Sequence, residues 1–193
     1  MTTPRSPRSR KQRPNDPARR TRIAQAAIEV VGAHGIDGLT HRAVAAAAGV
    51  PLGSTTYHFA TLDDLLEVAL EQAAADNVER LRAWAGSIPP DEDFAVALAA
   101  LVMTYLHEER TSNVVEYDLY VAALHRPRLR AASAAWDEAL VELFGSRTDP
   151  LTGRMLAGLF CGTLIQTALA DPPPSADEVE ALFRRAVHGP PPP

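Results

Sequence analysis

The chain has 193 residues, a net charge of −5 and one cysteine, Cys161. This length suffices to bury a core, no apolar run reaches the roughly 18 residues of a membrane span, and the basic N-terminal stretch lacks the apolar segment of a signal peptide. A single cysteine excludes an internal disulfide and a zinc site built from cysteines. We therefore expect a cytoplasmic protein with a packed core.

Charge is distributed unevenly along the chain. Residues 1–60 carry nine basic and three acidic side chains, whereas the remaining residues carry 10 basic and 21 acidic ones. A basic segment on an acidic body is expected when one face must approach a polyanion such as DNA and the rest must stay clear of it. On charge alone, the alternative is a disordered basic tail without a partner.

The N-terminal third begins with a disordered arm and one amphipathic helix. Residues 1–15 are rich in Arg, Pro and Ser and nearly devoid of apolar side chains, which predicts a disordered basic arm. Asp16 and Pro17 are typical of a helix N-cap and first turn. Apolar residues then recur at helical spacing until Gly35, which predicts the end of the first helix.

Two short helices with a tight turn between them follow. Thr40 is a cap for a helix at 41–48, Gly49 ends that helix, and Pro51 has its φ preset for the first turn of a third helix of about seven residues. Two short helices joined across a glycine turn form a helix-turn-helix. The sequence predicts this motif within a domain of residues 16–61.

The rest of the chain predicts a larger helical domain at residues 62–188. Thr61 and Asp64 have the spacing of a capping box at the start of a long linking helix that ends near Ala85. Further helical patterns occupy 92–109, 113–125, 128–144, 151–170 and 176–188, followed by a disordered tail at 189–193. The predicted fold class is all-α, with about nine helices in two domains.

Three segments around the predicted turn carry a family resemblance. They are Thr40-His41-Arg42-Ala43-Val44-Ala45, Gly49-Val50-Pro51-Leu52-Gly53-Ser54-Thr55-Thr56-Tyr57-His58-Phe59 and Leu62-Asp63-Asp64-Leu65-Leu66. Together they resemble the DNA-binding signature of the TetR/AcrR family of transcriptional regulators. The resemblance implies a homodimer that binds a roughly palindromic DNA operator and carries a C-terminal ligand-binding and dimerisation domain. In that C-terminal half the likeness is one of architecture alone.

The third helix is the predicted reader of base edges. A short helix that opens after Gly49 can enter a major groove with its first-turn side chains facing the bases. The candidates are Leu52, Ser54 and Thr55, since hydroxyls bond several bases and leucine can touch a thymine methyl. Gly53 is expected to allow a close approach of DNA or backbone.

Phosphate contacts are expected on both sides of the reading helix. The resemblance assigns Tyr57 and His58 to phosphates, while Thr40 and Arg42 lie at a helix N-terminus and carry groups that favour phosphate. Phe59 is expected in the core. The alternatives are a core position for Tyr57 and a solvated surface position for His58.

Pro51 and Leu62 depart from the family pattern, which often has Ser and Lys at these positions. The family lysine touches phosphate at the start of the fourth helix, and Leu62 cannot do so. We expect the arginine-rich arm at residues 5–13 to supply this attraction instead, reaching into a minor groove.

The segment 151–170 is unusually apolar for a helix in an acidic domain. Gly158 and Gly162 lie one turn apart on one of its faces, which allows close backbone approach. By resemblance, this helix and 176–188 pair with their copies in a four-helix bundle. The interface candidates are Leu151, Met155, Gly158, Gly162 and Ile165. The alternative is a helix that is wholly buried in the monomer.

Polar and aromatic residues of the middle helices are candidates for lining a small-molecule cavity. They are Trp84, Met103, Tyr105, Glu116, Tyr120, Trp136 and Gln166. Each could equally be an ordinary core or surface residue. The resemblance implies that an effector of unknown identity binds here and moves the linking helix, which releases DNA.

Catalytic motifs are missing from the sequence. It contains no glycine-rich phosphate loop, no nucleophile elbow and no histidine pair at metal-ligand spacing, and Cys161 lies in an apolar segment that disfavours a thiolate. We predict a DNA-binding regulator without catalytic residues, metal or cofactor. Repression follows the habit of the family, and activation by the same fold is the alternative.

Overall fold

The computed structural model describes residues 17–108 and 110–189, and the predicted arm, the Asp16 cap and residues 190–193 lie outside them. In this part the chain forms nine α-helices and no strand, which confirms the all-α prediction. They are α1 Pro17–His34, α2 His41–Ala47, α3 Leu52–His58, α4 Leu62–Ser87, α5 Phe94–His107, α6 Arg110–Ala122, α7 Arg130–Gly145, α8 Pro150–Leu169 and α9 Ala176–His188. None of these helices is long and apolar enough to cross a membrane.

Side-chain caps fix the first turns of several helices. The Thr40 hydroxyl accepts a backbone N–H at the start of α2. Thr61 and Asp64 form a complete capping box at the start of α4, as their spacing predicts. Ser175 and Glu178 form a second one at the start of α9. These bonds satisfy backbone donors that have no partner within the helix. A short stretch of sequence therefore determines where each of these helices begins.

One helix is displaced from its predicted position. The sequence predicts 113–125, whereas α6 runs from Arg110 to Ala122. The Arg110 guanidinium donates to the carbonyl of Ala168, 3.1 Å away, near the end of α8. The two residues are 58 positions apart. No short window of sequence contains both, so the sequence pattern could not indicate that α6 begins at Arg110.

Two hydrophobic cores hold the helices together. The first joins α1, α2, the end of α3 and the first half of α4 to α6, through buried Ile23, Phe59, Leu65 and Leu119. The second packs the rest of α4 with α5, α7, α8 and α9. Because α6 contributes to the first core, the helix-turn-helix part shares its core with the larger domain.

The crossing of α7 and α8 depends on Gly153. A Cβ on Gly153 of α8 would lie 2.6 Å from the Cα of Gly145 and 2.8 Å from the carbonyl oxygen of Val141, both on α7. Such distances are shorter than any van der Waals contact, so only glycine allows the two backbones to approach this closely. The crossing sets the position of α8 against the second core.

Candidate functional site

The turn between α2 and α3 depends on Gly49. Its φ of +62° lies in the left-handed region, where a residue without Cβ has no steric penalty. The N–H of Val50 donates to the carbonyl of Ala45 at 3.0 Å, which closes the end of α2. Pro51 then acts as the N-cap, so α3 begins one residue later than predicted, at Leu52.

An outward face of α3 is available to a large partner. Leu52 is 45% exposed and Tyr57 64% exposed, and Gly53 and Thr56 are exposed between them. A Cβ on Gly53 would meet no atom within 4 Å. No contact among the described residues therefore requires glycine here, which is consistent with a close approach of DNA to this position.

Thr55 was predicted to contact DNA bases, and this prediction is wrong. Its side chain is fully buried, and its hydroxyl donates to the carbonyl of Leu52 at 2.8 Å. Thr55 lies one turn before Phe59, and both side chains point into the protein. The exposed threonine on this helix is Thr56, which the sequence prediction missed. The signal was the four-residue spacing to Phe59, because residues so spaced share a helix face.

The predicted phosphate-binding residues are accessible to different degrees. Thr40 and Arg42 are exposed at the start of α2, and His58 is half-buried with its ring edge-on to Tyr57. Phe59 is buried as expected, with the Arg20 guanidinium 5.2 Å from its ring centroid. Exposed Thr40, Arg42 and Tyr57 carry groups that can bond phosphate oxygens.

Two further residues bear on DNA contact: Ser54, the other candidate for reading bases, and Leu62, which departs from the family pattern. Ser54 is half-buried, so its hydroxyl is less accessible than that of Thr56. Leu62 is exposed at the first position of α4. An exposed leucine at this position offers no charge to a phosphate.

A small cavity of about 20 Å³, enough for about one water molecule, lies between α4, α6 and α7. A larger ligand must push its walls apart to enter. Its lining combines aromatic rings, small apolar side chains and two polar groups: Leu70, Ala73, Ala74, Asn77, Glu116, Tyr117, Tyr120 and Trp136. Glu116, Tyr120 and Trp136 were among the predicted lining residues. Asn77 was missed, although it is a buried polar residue on the apolar face of α4.

Four predicted lining residues do not reach this cavity, because the rotation of their helices turns them elsewhere. Trp84 and Tyr105 line a separate groove between α4 and α5. Met103 is half-buried and packs against the second core. Gln166 is exposed on α8.

A hydrogen-bond network surrounds the carboxylate of Glu116. It accepts from the side-chain amide of Asn77 and, at 2.5 Å, from the guanidinium of Arg80. The side-chain carbonyl oxygen of Asn77 in turn accepts from the Tyr105 hydroxyl at 2.7 Å. The network fixes one negative charge at the wall of an otherwise largely apolar cavity.

The tyrosines on this wall stay protonated. Burial, together with a hydrogen bond to Asp137, raises the pKa of Tyr120 to about 12. Burial also raises the pKa of Tyr117, beside the thiol of Cys161. Burial raises the pKa of Cys161 as well, so the thiol form is favoured, in agreement with its apolar surroundings in the sequence. The cavity therefore offers neutral hydroxyl groups, aromatic rings and one carboxylate.

One face of α8 is apolar and uncovered. Leu151 and Leu169 are 78% and 80% exposed, and Met155 and Gly158 are exposed between them. Together with half-buried Gly162 and Ile165 they follow alternating spacings of four and three residues. A Cβ on either glycine would meet nothing within 4 Å. The opposite face of α8 packs in the second core, so the helix is not wholly buried within the monomer.

The comparisons with known proteins agree with this layout. Residues 23–69 match the family model of bacterial regulatory proteins of the tetR family, and residues 89–189 match that of the tetracyclin repressor-like C-terminal domain. A search of curated protein sequences finds no match.

Solved structures resemble almost the whole chain. The multidrug binding protein EbrR in complex with imidazole is 45% identical, with a TM-score of 0.80 and coverage of 92% of this chain and 98% of EbrR. The structure of EbrR in complex with ethidium is also 45% identical, with a TM-score of 0.78 and coverage of 88% of this chain and 98% of EbrR. The TetR-family member SCO1917 from Streptomyces coelicolor A3 is 45% identical, with a TM-score of 0.76 and coverage of 89% and 99%. The chain therefore belongs to the TetR family of transcriptional regulators.

Proposed function

We propose that this regulator is a repressor that binds a roughly palindromic operator as a homodimer and releases it when an aromatic organic cation occupies the cavity. A protein of this kind acts on DNA in the cytoplasm. The proposal joins three parts of the molecule: the outward face of α3, the cavity between α4, α6 and α7, and the apolar face of α8.

The observation that carries the proposal is the path of α4. This helix begins at Leu62, three residues after α3 ends, and its middle turns contribute Leu70, Ala73 and Asn77 to the cavity. A ligand that changes the packing of these residues must act on the same rigid rod that supports the reading helix. Movement of α4 would change the distance between the two reading helices of a dimer. That distance must match one turn of DNA for both helices to enter the major groove.

The lining of the cavity supports a cationic aromatic ligand. Trp136, Tyr117 and Tyr120 present rings, and aromatic faces attract cations. Glu116 supplies a partly buried negative charge, which a cation can neutralise. EbrR has been solved with ethidium, proflavin and malachite green, all of them aromatic cations.

The apolar face of α8 supports a dimer. A seam of alternating four- and three-residue spacing is the pattern of helices that pack side by side. Glycines with open space above them allow two backbones to approach closely. Exposed leucines at both ends of this seam would lose their contact with water in a pair of copies.

The experiment begins with selection of an operator from random duplex DNA by the purified protein. Fluorescence anisotropy then measures operator affinity with and without saturating proflavin. We expect at least a tenfold loss of affinity on dye binding, since allosteric coupling is typically about 1–3 kcal/mol. A dye that binds and leaves operator affinity unchanged would refute the proposal.

Two further measurements test the DNA-binding mode and its consequence. If a dimer neutralises about eight phosphates, the logarithm of affinity should fall against that of salt concentration with a slope near −7. A slope near zero would contradict an electrostatic contribution from the head and the basic arm. Transcription from a promoter that contains the selected site should fall when the protein is added, whereas a rise would indicate an activator.

A further inference from the structure

A second opening meets the cavity at Glu116. A larger groove of about 460 Å³, open to solvent, lies between α1, α4 and α6. Ala73 and Glu116 line both the groove and the inner cavity. The carboxylate of Glu116 therefore stands at the junction between the aromatic interior and the outer groove.

Arg80 occupies the groove side of this junction. Its guanidinium bonds Glu116, and its side chain is 41% exposed, whereas that of Glu116 is 16% exposed. Among the described residues that line the groove, Arg80 is the one cation, and the carboxylates of Glu29 and Asp76 face the same space. A positive ligand that enters here meets a negatively charged groove with a single positive residue at its inner end.

Asp76 offers Arg80 an alternative partner. It lies one turn before Arg80 on α4, and an acidic residue four positions before a basic one is the favoured order for a helical ion pair. Asp76 lines the groove and already accepts from Gln72 at 2.8 Å. Arg80 can therefore leave Glu116 without its charge losing all compensation.

We propose that Arg80 is a built-in competitor for the positive charge of the ligand. An organic cation enters through the groove, displaces the guanidinium from Glu116 and takes its place as the counter-ion of that carboxylate, while Arg80 turns towards Asp76. This inference rests on the proposed function, because it assigns the route and the charge selectivity of the same cavity.

Charge selectivity follows from the need to keep Glu116 neutralised. A partly buried carboxylate that loses its partner is costly unless another positive group replaces it. A neutral ligand cannot replace Arg80, so it must bind with the ion pair intact. A cation displaces Arg80 and compensates the charge of Glu116, and the protein thereby discriminates between aromatic molecules of the same shape.

The test compares proflavin, a cation at neutral pH, with acridine, its uncharged analogue of similar shape. Binding of both dyes is measured by fluorescence for the wild type and for the variants Arg80→Gln, Glu116→Gln and Arg80→Gln/Glu116→Gln. Arg82→Gln serves as the matched control, because Arg82 is an exposed arginine on the same helix that does not line the groove or the cavity.

Removal of the competitor should strengthen cation binding. We expect Arg80→Gln to bind proflavin about three- to tenfold more tightly, in the range of partly exposed ion pairs, and Glu116→Gln to bind it about tenfold more weakly. Acridine affinity should change less than twofold in both variants, and Arg82→Gln should match the wild type with both dyes. The double variant should bind proflavin as Glu116→Gln does.

Three outcomes would overturn the proposal. The first is an Arg80→Gln variant that binds proflavin no more tightly than the wild type. The second is a gain from Arg80→Gln that persists in the double variant, because the effect would then not pass through Glu116. The third is equal strengthening of acridine and proflavin, which would indicate a wider cavity rather than removal of a competing charge. Proflavin that still releases operator DNA in these cases would leave the proposed function standing.

Discussion

The guanidinium of Arg128 lies 2.7 Å from the carboxylate of Asp64, and thereby ties the turn between α6 and α7 to the first turn of α4. Arg126 in the same turn lies 3.2 Å from Asp63. Both helices that the turn connects line the cavity, and α4 begins directly after the reading helix. The two ion pairs therefore connect the ligand side of the molecule to the base of the DNA-binding head.

Removal of these ion pairs should weaken the coupling between ligand and DNA more than either binding event. We expect the double variant Arg126→Gln/Arg128→Gln to bind operator and proflavin within about threefold of the wild type, because exposed ion pairs add little stability. The loss of operator affinity on dye binding should shrink by a factor of about three to ten. Anisotropy titrations with and without dye measure it. Arg130→Gln, an exposed arginine at the start of α7, is the control, and unchanged coupling in the double variant would contradict this connection.

The glycine contact between α7 and α8 should be intolerant of a methyl group. Gly153→Ala places a Cβ within 2.6 Å of Gly145, so the helices must separate. We expect a loss of about 1–3 kcal/mol in the free energy of unfolding, as for other overpacked positions. Gly86→Ala in α4 is the control, because a Cβ there would meet nothing within 4 Å and Gly86 lies outside the proposed interface, so this variant should not be destabilised. Urea unfolding of both variants decides it, and equal stability would show that the crossing can relax.

The two neighbouring threonines of α3 should respond in opposite ways. Thr56→Ala removes an exposed hydroxyl from the outward face, and we expect operator affinity to fall by about 1 kcal/mol with little change in stability. Thr55→Val removes a buried hydroxyl, and we expect stability to fall by about 1 kcal/mol with a smaller change in operator affinity. Thermal unfolding and anisotropy separate the two effects. The reverse pattern would restore the original assignment of Thr55 to the bases.

The apolar seam of α8 should control the oligomeric state. Met155→Glu places a charge in the middle of the proposed interface, and we expect at least a tenfold weaker dimer, because an unpaired charge is costly to bury. Leu124→Glu, which changes an exposed leucine in the turn after α6, is the matched control. Size exclusion with light scattering at micromolar concentration measures the mass. A wild-type protein that is monomeric under these conditions would contradict the proposal that a dimer binds DNA through two reading helices.

Capping carboxylates should make the fold sensitive to acid. The hydrogen bond from the Thr61 side chain holds the pKa of Asp64 below its ordinary value of 3.8, and bonds from Ser175 hold the pKa of Glu178 below 4.5. Below their ordinary pKa values the unfolded chain binds more protons than the folded one, so this stabilisation is full above those values. It is lost as the pH falls through the lower, folded-state pKa values.

Urea midpoints between neutral pH and about pH 3 test this account, with the pH range taken from the ordinary carboxyl values. We expect the midpoint to fall as the pH drops below 4.5, the ordinary pKa of Glu178. The fall should be smaller in Thr61→Ala and Ser175→Ala, because these variants lack the hydroxyl bonds that help to lower the two pKa values, while the backbone N–H bonds from positions 61 and 175 remain. A pH dependence identical to that of the wild type would contradict the role of the caps.

The sequence by itself determined the order of the helices, the helix-turn-helix and most helix boundaries. Thr40, Gly49 and the Thr61–Asp64 capping box act on backbone groups within four residues of themselves, so a short window of sequence contains both partners of each bond. Apolar periodicity likewise reports the buried face of one helix without reference to its neighbours. The apolar face of α8 was accessible in the same way.

Only the tertiary structure decided which side chains meet across helices. The pair Arg80–Glu116 joins residues 36 positions apart, and Arg128–Asp64 joins residues 64 positions apart. Such contacts depend on the rotation and crossing of whole helices, to which no local pattern is sensitive. The same rotation turned Thr55 inward, directed Trp84 and Gln166 away from the cavity, and placed Arg80 against the one carboxylate of its wall.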